Sequence, residues 1–131
     1  MAREGANVLV VDRDEANALL TAKALSDEGL ACDVTVADVS NVSDCEQMVQ
    51  TAIDKFGQLT TLVNAVGIGG GGNVTEIEED FWQHVLDVNL KSMVFASKAD
   101  FERAYAGNDE LGKAAEGLFG EKVLVAIIQE Q

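Results

Sequence analysis

The sequence predicts an α/β fold, a three-layer, doubly wound parallel sheet of about four strands in one domain spanning residues 1–131. Three observations lead there. Short β-branched runs alternate with helical stretches along the whole chain. One of those stretches carries an unbroken apolar stripe. The run from Lys122 to Ile128 is apolar at consecutive positions from Val123 onward, as a strand buried on both faces requires. A domain of 131 residues buries roughly two thirds of its unfolded surface, so a single core is expected.

The first strand is Val8 to Val11, ending in Asp12, and a helix follows from Asp14 to Glu28 with Ala18, Ala22 and Leu25 at helical spacing before Gly29. A second strand, Asp33 to Ala37, alternates Val34 and Val36 and ends at Asp38. Ser43 and Glu46 then form the pattern of a capping box, in which each side chain satisfies a free amide at the helix start. In the helix that follows, Cys45, Met48, Val49, Ala52, Ile53 and Phe56 form one apolar stripe, closed by Gly57. Leu62 to Val66 is the third strand, and the loop after it holds Gly67, Gly69, Gly70, Gly71 and Gly72.

Thr75 and Glu78 are expected to cap a long helix through Phe81, Trp82, Val85, Val88 and Phe95 to about Ala106. Gly107-Asn108-Asp109 signals a turn, and Glu110 to Leu118 a short helix weakened by Gly112 and Gly117. The last strand closes the chain.

With 23 acidic against 9 basic residues the formal net charge is -14, which repels nucleic acid and anionic membrane surfaces. The longest apolar runs, Val8 to Val11 and Val123 to Ile128, are too short to span a bilayer, and a cytoplasmic location is expected. Cys32 and Cys45 lack metal-site spacing, and with His84 they make no zinc site, so no metal is expected and both thiols should be buried.

Ligands of open parallel sheets bind beyond the carboxyl ends of the strands, marked here by Asp12, Asp38 and the loop Asn64 to Gly72. An aspartate at position 12 can accept both hydroxyls of an adenosine ribose or cap the next helix, and spacing does not choose between them. Gly67-x-Gly69-x-x-Gly72 matches a phosphate-binding pattern, but the next helix begins too late for its amino terminus to face that turn.

Four strings in order, AREGANVLVVDRD, ADVSN, TLVNAVGIGGGG and DFWQHVLDVNLKSMVFASKA, resemble the short-chain dehydrogenase/reductase family over Ala2 to Ala99. The resemblance implies an NAD(P)-binding Rossmann fold and oxidoreductase chemistry. It implies that Asp12 is the acid favouring NAD over NADP and that Asp38 and Val39 bracket the adenine. Asn64, Ala65 and Gly67 then belong to the motif similar to the family's Asn-Asn-Ala-Gly, and Asn89 matches the asparagine of its catalytic tetrad. Thr60, Ala65 and Val66 depart from the family's usual residues.

Two further departures bear on function. The likeness starts after the family's first strand and glycine-rich loop, and the Tyr-x-x-x-Lys pair has no counterpart, since Tyr105 is followed four residues later by Asp109. That tyrosine is the family's general acid/base, with the lysine lowering its pKa. Losing two or three charge-assisted bonds to pyrophosphate should cost on the order of 5 kcal/mol, between three and four decades of affinity. The expectation is a derivative or fragment of an oxidoreductase that keeps part of an adenosine surface, binds NAD weakly or not at all, and is inactive alone.

Two alternatives remain at this stage. Another chain could complete an active oxidoreductase. A receiver-like signalling domain is the other, because VLVVDRDEANALLTAKALSDEG is similar to the start of one, although Asn64 stands where its phosphoacceptor aspartate is needed.

The long helix, with Trp82, Val85, Phe95 and Phe101, carries more apolar residues than one sheet-facing stripe can hide, so a homo-oligomer through that helix is expected. The family sheet runs 3-2-1-4-5, and removing its first strand would leave two rows of backbone groups unpaired. Simple closure gives the remaining strands, from Val8, Val34, Leu62 and Val123, the order 2-1-3-4. Placing Val123 to Ile128 in the vacancy instead would require the long helix on the opposite face, because such connections are right-handed in about 98% of cases.

Overall fold

A computed structural model describes residues 1–70, 72–104 and 123–129. After a 3₁₀ turn at Ala2–Glu4 the order is β1 (Asn7–Asp12), α1 (Glu15–Asp27), β2 (Cys32–Val36), α2 (Val42–Phe56) and β3 (Thr61–Val66). A second 3₁₀ turn (Val74–Glu76) precedes α3 (Glu79–Leu86), a π-helical turn (Asp87–Lys91), α4 (Ser92–Ala104) and β4 (Val123–Gln129). The four strands form one sheet, and every pairing is parallel.

Alternation along β1 builds the three layers. Leu9 and Val11 point to one side, where they pack with Met48, Val49 and Ala52 of α2 and Ala96 and Ala99 of α4. Val8 and Val10 point to the other, against Ala18 of α1. Each Val, Leu or Met side chain fully buried this way contributes roughly 1.5–3 kcal/mol, which makes β1 the hinge of both cores. The stripe on α2 is placed as its spacing predicts, with Cys45, Met48, Val49 and Ala52 buried and Ile53 and Phe56 packed at its edge. Gly57 ends that helix at φ 81, where a side chain would be strained.

The predicted sheet order is corrected. It is β2-β1-β4-β3, not 2-1-3-4, with Val123 to Gln129 lying between β1 and β3. Its register runs from Asn7↔Val123 to Val11↔Ile127 on one side and from Thr61↔Leu124 to Val66↔Gln129 on the other. The physical reason is layer packing. Closing β1 directly onto β3 would move β3 and the helices above it by one strand spacing, about 4.8 Å, whereas an inserted apolar strand satisfies both bare edges and leaves the layers in place. Helix α4 packs beside α2, on the face of Leu9 and Val11.

Four local expectations are also corrected. Helix α2 starts on Asn41 rather than Ser43, whose hydroxyl instead turns to Asp44. The capping pair before α3 is Asn73 and Glu76, the Glu76 carboxylate accepting from the Asn73 amide at 3.4 Å, and not Thr75 and Glu78. The long helix is split into α3 and α4 by the π turn. Cys32 is half-buried rather than buried, its thiol donating to the Ala22 carbonyl. The turn at Gly107, the helix from Glu110 to Leu118, and Tyr105 lie outside the described residues.

Candidate functional site

The carboxyl ends of β1 and β2 are tied together by the Ala37 amide, which donates to the Asp12 carbonyl at 3.1 Å. Asp12 is 4% exposed, and its Oδ1 accepts from the Asp14 amide at 2.9 Å. Of the two roles left open for it, helix capping belongs to Asp14, whose carboxylate accepts from the amides of Ala16 and Asn17. Asp12 fixes the tight turn between strand and helix. A carboxylate offers about four acceptor positions, and the nearly buried Asp12 lies at the edge of the adjacent cleft rather than among its lining residues.

Beside that turn lies an open cleft of about 610 Å³ lined by Arg13, Asp14, Glu15, Val36, Ala37, Asp38 and Asp44. Asp38 is held from two directions. Its Oδ1 accepts from the Ser40 amide (3.0 Å) and hydroxyl (2.7 Å), while its own amide donates to Asp44 Oδ2 at 2.9 Å. Val36 is 51% exposed on the cleft and, with the smaller Ala37, is the apolar part of the lining among the described residues. Val39 turns the other way, its side chain in the α2–α4 core and its carbonyl accepting from the Cys45 thiol. Burial, reinforced by Asp44 and Asp38, pushes that thiol up to about 11.

The glycine loop after β3 forms a second region. Asn64 is half-buried on the strand, Ala65 is exposed, and Gly67 lies beside Asn89, whose Oδ1 would be 3.7 Å from a Cβ at that glycine. Asn89 sits in the π turn and grips the loop with both ends of its amide. The Ile68 amide donates to its Oδ1 at 2.7 Å, and its Nδ2 donates to the Ile68 carbonyl at 2.8 Å. A second cleft, about 500 Å³, is lined by Gly69, Gly70, Gly72, Glu76, Ile77, Glu78 and Phe81. Phe81 lies so close over Gly70 that a Cβ there would fall 2.2 Å from its ring, so only glycine admits this contact.

The structure therefore brings Asp12 and Asp38 to one edge and joins Asn89 to the loop of Gly67. It places Asn64 on β3 and Val39 in the core. Sequence reasoning missed Arg13, Glu15, Val36, Ala37 and Asp44 as cleft residues. Asp44 had a local signal, since it lies in the first turn of α2 just beyond Asp38, but its bond to the Asp38 amide depends on the angle between strand and helix.

A family model described as short chain dehydrogenase matches residues 1–108. The chain is 32% identical over 100 residues to dehydrogenase/reductase SDR family member 4 of Oryctolagus cuniculus, covering 76% of this chain and 38% of that protein. It is 36% identical over 97 residues to 2-(S)-hydroxypropyl-CoM dehydrogenase 3 of Xanthobacter autotrophicus, covering 74% and 38%. Among solved structures, a short chain dehydrogenase from Mycobacterium smegmatis superposes with a TM-score of 0.77 at 30% identity, over 82% of this chain and 44% of that one. An actinorhodin polyketide ketoreductase variant solved with NADPH superposes with a TM-score of 0.75 at 26% identity, over 95% and 44%. The chain thus spans about two fifths of the length of the curated relatives it matches. With its parallel layers, its carboxyl-edge cleft and this match over most of its length, the chain belongs to the short chain dehydrogenase family of oxidoreductases.

Proposed function

We propose that this chain carries the adenosine-binding part of a family oxidoreductase and takes an adenosine-type ligand, NAD in preference to NADP, in the cleft at the ends of β1 and β2. The observation that carries this reading is the cleft itself, where Asp38 is held in place by Ser40 and Asp44 next to an exposed Val36. Val36 offers an apolar surface to the face of an adenine. Asp12, at the base of the turn, and Asp38 offer acceptors to the donors of the ribose and base. Asn64, Ala65 and Gly67 border the ligand's far end.

Four acids against Arg13 in the lining disfavour an additional phosphate on the ribose. The same charges work against the pyrophosphate, so millimolar affinity is expected. Asn89 has both amide ends engaged with Ile68 and acts as a positioning residue for the loop. Hydride transfer by this chain alone is not expected, because no Tyr-x-x-x-Lys pair stands in its sequence to move the proton. The proposal has the chain working away from membranes and nucleic acid and associating with a second copy through the long helix. On that helix Trp82, Leu90, Met93, Val94 and Phe101 are exposed.

The experiment is an amide-resolved NMR titration with NAD, NADP and AMP. NAD and AMP should shift the amides of Val36, Asp38 and Ser40 at millimolar concentration, with NADP weaker. Tighter binding of NADP, or no shift at those amides near 10 mM, would overturn the reading. Turnover of alcohols or ketones with either dinucleotide would overturn the expectation of inactivity.

A further inference from the structure

The bonds that anchor Asp38 differ in what they tie it to. The Ser40 amide and hydroxyl both donate to its Oδ1, at 3.0 and 2.7 Å, and the Asn41 amide donates to its carbonyl at 2.9 Å. These bonds lie within the turn from residue 38 to 41. They fix the carboxylate relative to that turn and leave Oδ2 as the oxygen without a hydrogen-bond partner among the described residues. The turn joins the carboxyl end of β2 to α2, and two bonds tie it to the helix. The Asp38 amide donates to Asp44 Oδ2 at 2.9 Å, and the Cys45 thiol donates to the Val39 carbonyl at 3.3 Å. A thiol is a weak donor, and its bond lies on the buried side, where Val39 enters the core.

On the cleft side Asp44 is the one residue of α2 in the lining among the described residues. An acid in the first turn of a helix opposes the positive end of the helix dipole, and that role requires only its charge. The bond to the Asp38 amide requires more, an acceptor oxygen at one place, reaching from the helix to main chain six residues earlier. Ser40 therefore sets which oxygen of Asp38 is offered, and Asp44 sets where the turn holds it.

We propose that Asp44 is a positioning residue, which fixes Asp38 against the edge of a bound purine and so makes the cleft select adenine over hypoxanthine. The inference rests on the adenosine reading above. Adenine carries an exocyclic amine, a donor, where hypoxanthine carries a carbonyl oxygen, an acceptor. A carboxylate only accepts, so a fixed Oδ2 bonds the first and repels the second. A carboxylate that swings with its turn has to be ordered on binding, which costs affinity for adenine. It can also turn away from the carbonyl, which removes the penalty on hypoxanthine. One charge-assisted hydrogen bond gained or lost at the base corresponds to a discrimination of about tenfold.

The test titrates the intact chain with AMP and with IMP, read at the amides of Val36, Asp38 and Ser40. The two ligands carry the same phosphate, so repulsion from the acidic lining cancels in the ratio of their affinities. Asp44→Asn removes the charge and keeps an acceptor oxygen for the Asp38 amide. Asp44→Ala and Asp44→Ser remove that acceptor, the serine hydroxyl being one atom short of it. The parent and Asp44→Asn should prefer AMP about tenfold, and the alanine and serine variants less than about threefold. In the unliganded parent, a long-range HNCO spectrum should show coupling between the Asp38 amide nitrogen and the Asp44 carboxyl carbon. Absence of that coupling, no preference in a parent that binds AMP, full preference in either acceptor-less variant, or its loss in Asp44→Asn overturns the proposal alone. A parent whose amides do not respond to AMP overturns the adenosine reading and this proposal together.

Discussion

Replacing Asn89 by alanine removes both hydrogen bonds by which the π turn holds the loop after β3, at 2.7 and 2.8 Å to the two backbone groups of Ile68. Each bond contributes about 1 kcal/mol net, and a part-buried backbone group left without a partner costs about 1–3 kcal/mol. Alanine returns roughly 0.5 kcal/mol through its better helix propensity. The balance is a loss of about 2–3 kcal/mol. With a urea m-value of about 1–3 kcal/mol/M for a chain this size, the midpoint should fall by roughly 1–2 M with m unchanged. Asn89→Asp keeps an acceptor for the Ile68 amide but sets a carboxylate against the Ile68 carbonyl, so it should be no better than alanine. Equilibrium urea unfolding followed by Trp82 fluorescence measures all three proteins. An alanine variant within about 0.5 kcal/mol of the parent would show that the two bonds do not hold the loop.

Burial raises the Asp100 carboxyl above its ordinary value, so the folded chain holds that proton more readily than the unfolded one, and the resulting stability is present at low pH and lost as pH rises through the folded value. Asp100→Asn should therefore be more stable than the parent at neutral pH, with the gap closing as pH falls through the carboxylate range; thermal melts across pH 3–8, as an approximate span, would show it. The Cys45 thiol, pushed up to about 11 and buried, should not react with a thiol reagent near pH 8 (roughly the unperturbed thiol range) until the chain unfolds, so rapid labelling of Cys45 in folded protein would contradict the core assignment. Leu90→Glu combined with Met93→Glu places charges on the exposed face of the long helix and should weaken the proposed self-association at least tenfold in sedimentation, at under about 0.5 kcal/mol in monomer stability per surface site.

Much of the fold was legible in local pattern. The α2 stripe from Cys45 to Phe56 is periodic over enough residues to fix both element type and buried face, and the β1 run from Val8 to Val11 is short, β-branched and continuously apolar, as a strand buried on both faces requires. The capping residues were less legible, because Ser43 and Thr75 satisfy the same short-range patterns as the residues that begin the turns, Asn41 and Asn73. Of the candidate site, Asp12 and Asp38 could be named from their positions after strands. Asp44 and Val36 could not, since their places in the cleft depend on where α2 lands across the sheet.

The sequence by itself determined the alternation of strands and helices, the acidic surface, the family, and the absence of a Tyr-x-x-x-Lys pair, all of which are written in residue order and spacing. Only the tertiary structure decided where the last strand goes. Val123 to Gln129 is apolar enough to be interior, but its neighbours along the chain do not say whether it lies outside β3 or between β3 and β1. That choice belongs to the layers. The helices fix the distance between β1 and β3, both strands present bare backbone to the gap, and a strand there satisfies the two edges at once.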